Sequence, residues 1–184
     1  SLLNPKRMKP KIKARNDDEL SFTAEVSVFA AKEALKNASL SPSDIDAVIV
    51  SAANLQRAYP AIAIEVQNEL GIEGFAYDMM VGCSASTFGI NNAYCDIKSG
   101  KSSKVLVISP EITSGHNNFK NRDGHFIFGD ICTAVVIEKN SQSKNKFKIL
   151  DTKLKTSFSN NIRNNYGYMN AVEDKEYTES ELLF

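Results

Sequence analysis

The sequence predicts an α/β fold: a mixed, mostly parallel sheet with helices on both faces. Three observations carry that reading. Apolar, β-branched runs at 45–52, 75–81 and 104–109 alternate with helix-period segments at 20–39, 60–70 and 83–99. That alternation is the pattern of a sheet wound with crossover helices. The runs are nearly continuous, as expected of strands covered on both faces. Finally, Gly82-Cys83-Ser84 closes one run and opens a helical pattern at once, at the carboxyl end of a strand, where an open α/β sheet places its site.

Composition sets the frame. The 184 residues suffice for one domain with a real core. Lys plus Arg and Asp plus Glu both number 22, so no net charge favours a nucleic acid or a membrane surface. No apolar run approaches the roughly 20 residues of a membrane span, and no signal peptide is visible. Cys83, Cys95 and Cys132 are odd in number and lack metal-ligand spacing, so no metal is expected and a reducing cytoplasm fits.

Taken in order, residues 1–19 run from basic (Lys6, Arg7, Lys9, Lys11, Lys13, Arg15) to acidic (Asp17, Asp18, Glu19). Prolines break any helix there, which leaves a loop or solvated arm. Over 20–39 an amphipathic helix is expected, with Phe22, Val26, Phe29 and Ala30 as its stripe, widened by Val28, Ala31, Leu35 and Ala38. Ser41-Pro42 starts a short helical turn. Ile45 to Ala52 is β-branched and reads as a buried strand.

Residues 54–59 form a loop. Pro60 starts a helix with Ile62, Val66 and Leu70 at four-residue spacing, closed by Gly71. Phe75 to Val81 is the next strand. The helix after Cys83 turns Phe88, Ala93, Tyr94 and Ile97 inward and stops at Gly100. Lys104 to Ser109 is a fully buried strand. A polar loop over 110–127 is long enough to be functional or disordered. Ile131 to Glu138 is a strand, 140–146 a hairpin-type turn, and Phe147 to Leu154 an antiparallel strand pairing back. Residues 159–184 show no clear element. The expected organisation is an arm at 1–19, a domain at 20–155 and a segment of uncertain character at 156–184.

Cys83 has the local chemistry of a nucleophile. Gly82 takes the backbone of a sharp turn at little steric cost, and the cysteine then stands at the tip of an elbow. The roughly half positive charge of a helix N-terminus favours a thiolate at such a position. Local residues leave a second reading equally open, that of a small buried residue.

Gly-Cys-Ser at 82–84, Lys-Val-Leu-Val-Ile-Ser at 104–109 and Asn-Arg-Asp-Gly-His-Phe-Ile-Phe-Gly-Asp at 121–130, in this order and spacing, resemble β-ketoacyl-acyl carrier protein synthase III. The Leu-Ser-Pro-Ser-Asp-Ile-Asp stretch before the first strand and Tyr59-Pro60 also match, so the likeness covers residues 20–155. The resemblance implies the N-terminal half of a thiolase-type fold. It also implies a homodimer that condenses an acyl-CoA primer with malonyl-acyl carrier protein and releases CO2, with no cofactor beyond the CoA thioester substrate. On that likeness Cys83 is the acyl-accepting nucleophile, and its backbone N–H is one oxyanion donor. Arg122 matches an arginine that holds CoA, and Tyr59 an aromatic that reaches the partner protomer's acyl pocket.

The chain departs from the family in places. Ser84-Ala85-Ser86 follows the cysteine where small-Gly-Phe is common, and Ile131-Cys132-Thr133-Ala134 stands where Gly-Ala-Gly-Ala is common. The chain has no tryptophan, which some members stack on adenine. His116 and His125, its two histidines, do not match the family's decarboxylating histidine, which lies in the second half with an asparagine. Full condensation by this half alone is therefore not expected. Three alternatives are another thiolase-superfamily synthase, a non-catalytic dimerisation or partner-binding half, and a cysteine hydrolase pairing Cys83 with His125.

Overall fold

The structure is a computed structural model that describes residues 3–4, 9–10, 13–115, 126–144 and 146–161. The chain forms two compact units. The larger comprises Arg15–Glu111 and Ile131–Leu154; the smaller gathers Ser1–Ala14, Ile112–Asp130 and Lys155–Phe184.

Within the smaller unit, the two-residue strands β1 (Leu3–Asn4) and β2 (Lys9–Pro10) pair antiparallel. A 3-10 turn at Thr113–Gly115 is tied to the segment that ends at Asp130. There the Thr113 hydroxyl donates to the Gly129 carbonyl, and the Ser114 N–H and hydroxyl donate to Asp130.

The larger unit holds the four-stranded sheet. Its elements are α1 (Phe22–Ala38), β3 (Ala47–Ala52), α2 (Ile62–Leu70), β4 (Phe75–Met80), α3 (Ala85–Lys98), β5 (Lys104–Glu111) and β6 (Ile131–Glu138). Strand order is β4-β3-β5-β6. β3 is parallel to both β4 and β5, while β6 runs antiparallel to β5, so the sheet is mixed and mostly parallel.

Period-two alternation divides the core between the two faces. Val48, Val50, Leu106 and Ile108 pack with Ala24, Val28, Ala31 and Leu35 of α1 and with Ile62, Ala63 and Val66 of α2. Ala47, Ile49, Val105 and Val107 face the other way and pack with Ala93 of α3. The helices thus cover both faces, which is why β3 reads as an unbroken apolar run: all six of its residues are buried.

Helix ends follow from local chemistry. Ser21 caps α1 by accepting the Ala24 N–H at 3.2 Å, and Gly71 closes α2 in the left-handed region at φ 67°. Ala61, at the N-cap of α2, has no capping side chain. Asp78 of β4 substitutes for it, accepting the Ile62 and Ala63 N–H groups at 2.7 and 2.8 Å.

Four expectations need correction. The inward face of α1 is Ala24, Val28, Ala31 and Leu35, an i, i+4, i+7, i+11 row, and Phe29 on the opposite side is 68% exposed. The helix after Cys83 begins at Ala85, preceded by a 3-10 turn at Gly82–Ser84, and its buried residues are Ala85, Gly89 and Ala93. β5 runs on through Pro110 and Glu111. No strand forms at 147–154, and the Ser143 hydroxyl donates to the Asn37 carbonyl at the end of α1. Lys146 Nζ closes the same turn on the Ser141 carbonyl. Without a ladder partner Phe147 is left fully exposed.

Candidate active site

The parallel strands β3, β4 and β5 end at one rim of the sheet, and the chain leaving β4 there forms the Gly82–Ser84 turn. Gly82 has φ 57°, a left-handed conformation that any side chain would strain. The turn places Cys83 as an exposed free thiol between strand and helix. In this structure Cys83 is therefore not a buried packing residue.

The last residues of β3 hold this turn in place. The Val81 N–H donates to the Ala52 carbonyl at 3.4 Å, and the Ser51 hydroxyl donates to the Ala85 carbonyl at 2.6 Å. Bonds therefore reach the chain on both sides of Cys83. One turn along α3, the Ser86 hydroxyl donates to Ser109 of β5 at 2.8 Å. Ser86, Ile90, Val107, Ser109, Thr133 and Val135 line a cavity of about 120 Å³. Both family departures thus meet in one place: Ser86 comes from the segment after the cysteine, and Thr133 from the segment after Phe128-Gly129-Asp130.

Glu111 stands at the same rim. Its carboxylate accepts the backbone N–H of Ala53, the first residue beyond β3. Burial pushes its carboxyl above the ordinary range, partly offset by the neighbouring backbone N–H groups of Ala53 and Asn54. Sequence reasoning did not single out Glu111, Ser86 or Ser109. A lone acid closing a buried strand at the nucleophile's rim was the available signal.

Tyr59 lies in the loop between β3 and α2, before a cis bond to Pro60, and is 85% exposed. Arg122, His116 and His125 lie outside the described residues. Among the described residues, no cluster of three or more His, Cys, Asp or Glu is placed to hold a metal, and no helix is long and apolar enough to cross a membrane.

An exposed cysteine on a strand-to-helix turn, at the carboxyl rim of a mixed sheet with helices on both faces, defines a thiolase-like half. The 3-oxoacyl-[acyl-carrier-protein (ACP)] synthase III family model matches residues 77–157, which span β4, the Cys83 turn, α3, β5 and β6. A β-ketodecanoyl-[acyl-carrier-protein] synthase of Pseudomonas aeruginosa is 51% identical over 185 aligned residues, covering 100% of this chain and 53% of that protein. A β-ketoacyl-[acyl-carrier-protein] synthase III of Brucella anthropi is 39% identical over 123 residues, covering 66% of this chain and 38% of its own. Among solved structures, the 3-oxoacyl-[acyl-carrier-protein] synthase III of Aquifex aeolicus superposes with a TM-score of 0.63 at 33% identity, over 66% of this chain and 40% of that one. The chain is similar to β-ketoacyl-acyl carrier protein synthase III proteins over a span that corresponds to their N-terminal half. It spans about half the length of the Pseudomonas relative and less of the others.

Proposed function

We propose that this chain is the acyl-accepting half of a fatty-acid condensing enzyme and that Cys83 is its nucleophile. The Cys83 thiolate attacks the carbonyl carbon of an acyl-CoA. The tetrahedral intermediate collapses to an acyl-cysteine thioester, and CoA leaves as its thiolate and takes up a proton. The Cys83 backbone N–H serves as one donor to the oxyanion. In the second step the acyl group passes to the carbanion formed when malonyl-acyl carrier protein loses CO2. The family's histidine and asparagine serve that step, and neither histidine of this chain matches theirs.

The observation that carries this reading is the exposed Cys83 thiol on the Gly82–Ser84 turn, inside the segment that the family model matches. Arg122 is assigned to CoA phosphate or adenine contacts, for which a guanidinium is suited. Tyr59 is assigned to the partner protomer's acyl pocket in a homodimer, a role consistent with its exposure. A decanoyl product requires an eight-carbon primer extended by two carbons, so the whole-chain identity to the Pseudomonas synthase favours a medium-chain acyl-CoA.

Intact-protein mass spectrometry after incubation with acyl-CoAs of graded length tests the assignment. The expected result is an acyl adduct, strongest with octanoyl-CoA and absent from Cys83→Ala. Well-folded protein that takes up no acyl group would overturn it. Equal adducts on Cys83→Ala would place the acyl group elsewhere.

A further inference from the structure

The carboxylate of Glu111 is tied to the nucleophile's turn by an unbroken path through the end of β3. Its Oε1 accepts the Ala53 N–H. The two preceding residues of β3 are the ones that grip the Cys83 turn: Ala52 accepts from Val81, and Ser51 donates to the Ala85 carbonyl. Glu111 is therefore the outer brace of a three-strand clamp, in which β5 fixes β3 and β3 fixes the chain on either side of Cys83.

The second oxygen marks this as more than a loop tether. Oε2 is buried and, among the described residues, has no hydrogen-bond partner. A buried carboxyl oxygen without a partner is costly, and a neutral side chain would tie down the Ala53 N–H at lower cost. Such costs concentrate at functional sites, where geometry is held against local preference.

We propose that Glu111 is a positioning residue for Cys83, acting through the backbone of Ala53. The inference rests on the reading of Cys83 as the acyl acceptor. Glu111 does not touch the acyl group; it sets where the thiol stands relative to its own N–H and the incoming carbonyl. Displacement of about 1 Å at a reacting centre is enough to lose much of the rate.

The test is the rate of Cys83 acylation in the 184-residue chain, with Cys95→Ser and Cys132→Ser so that one thiol is read. Octanoyl-CoA is the acyl donor, and iodoacetamide is the probe of bare thiol access. Glu111→Met fills the volume and accepts no hydrogen bond; Glu111→Gln still offers an acceptor oxygen to the Ala53 N–H. Glu111→Met is expected to slow acylation about tenfold or more while alkylation changes by no more than about twofold. Glu111→Gln is expected to restore acylation to within about twofold of the parent. Acylation of Glu111→Met at the parent rate would overturn the inference, as would equal impairment of the Gln and Met variants. Failure of the parent to acylate would overturn the nucleophile reading and this inference together. An acylated parent with an equally fast Met variant would overturn this inference alone.

Discussion

Gly89 of α3 lies directly against Ser51 of β3: a Cβ added at Gly89 would meet Ser51 Cβ at 3.0 Å and Val107 Cγ1 at 2.9 Å. Helix and sheet are this close two turns beyond Cys83, and both neighbouring side chains are buried in the sheet. Alanine normally stabilises a helix interior over glycine by about 1 kcal/mol. Here the added methyl must push α3 away from β3 and β5, and overpacking of this kind costs about 1–3 kcal/mol. Gly89→Ala is therefore expected to lower stability, contrary to propensity, in urea unfolding. It should also slow acylation of Cys83, because the helix that moves begins beside the nucleophile. A stabilised variant would show that α3 is not pressed against the sheet.

Asp78 gives a pH dependence with a defined sign. Burial raises its carboxyl above the ordinary range, despite hydrogen bonds from Ala63 and Ile62 and the charge of Arg57 that act the other way. The fold therefore binds a proton at Asp78 more tightly than the unfolded chain does. Its contribution is fully present below the unfolded carboxylate pKa of about 3.9 and is lost as pH rises through the higher folded value. Asp78→Asn does not titrate and presents one acceptor oxygen where two are used. It should cost about 1–3 kcal/mol through the uncapped N–H of α2. The stability gap between parent and variant should be widest in acid and narrow towards neutral pH. Urea unfolding across that range checks it, and a gap that widened with pH would reverse the assignment.

The elements that were legible in the sequence are those whose evidence is local. Val48, Val50, Leu106 and Ile108 sit in β-branched runs that announce covered strands, and Gly82 beside Cys83 announces a tight turn at a strand end. Phe29 misled because α1 carries two overlapping apolar rows. The row of small residues at Ala24, Val28 and Ala31 is the one that lets the helix lie close to the sheet. Phe147 to Leu154 misled because a β-pattern without a ladder partner forms no strand. The bonds that brace the site, Glu111 to Ala53 and Ser51 to Ala85, join residues 58 and 34 positions apart. No local pattern encodes them.

Glu65 shows how one side chain fixes the packing of two helices. Standing on α2, it accepts the Ser21 N–H at 3.1 Å and the Ser21 hydroxyl at 2.8 Å, at the N-cap of α1, and it pairs with Arg57. Its side chain is only 15% exposed, so the pair is better shielded than a surface ion pair. Glu65→Gln keeps an acceptor for Ser21 but loses the charge opposite Arg57, and should cost about 1 kcal/mol. Glu65→Ala leaves the Ser21 N–H and the Arg57 guanidinium without this partner and should cost about 2–4 kcal/mol. Equal effects of the two substitutions in thermal unfolding would show that charge alone matters there.

The three cysteines should separate by reactivity. Burial pushes the Cys132 thiol up to about 11, partly offset by its hydrogen bond with Ser27, whereas Cys83 and Cys95 are exposed. The nucleophile in alkylation is the thiolate, so at about pH 8 Cys132 is almost wholly protonated as well as shielded. Timed iodoacetamide labelling followed by peptide mapping should find Cys83 and Cys95 modified first, with Cys132 at least about tenfold slower in the folded chain. Unfolding in urea should abolish the difference, because burial is its cause. Ser27→Ala removes the hydroxyl that stabilises the Cys132 thiolate and should slow Cys132 further without affecting the other two. Rapid labelling of Cys132 in folded protein would mean that β6 does not stay packed on α1, and that the strand carrying Thr133 opens at the edge of the sheet.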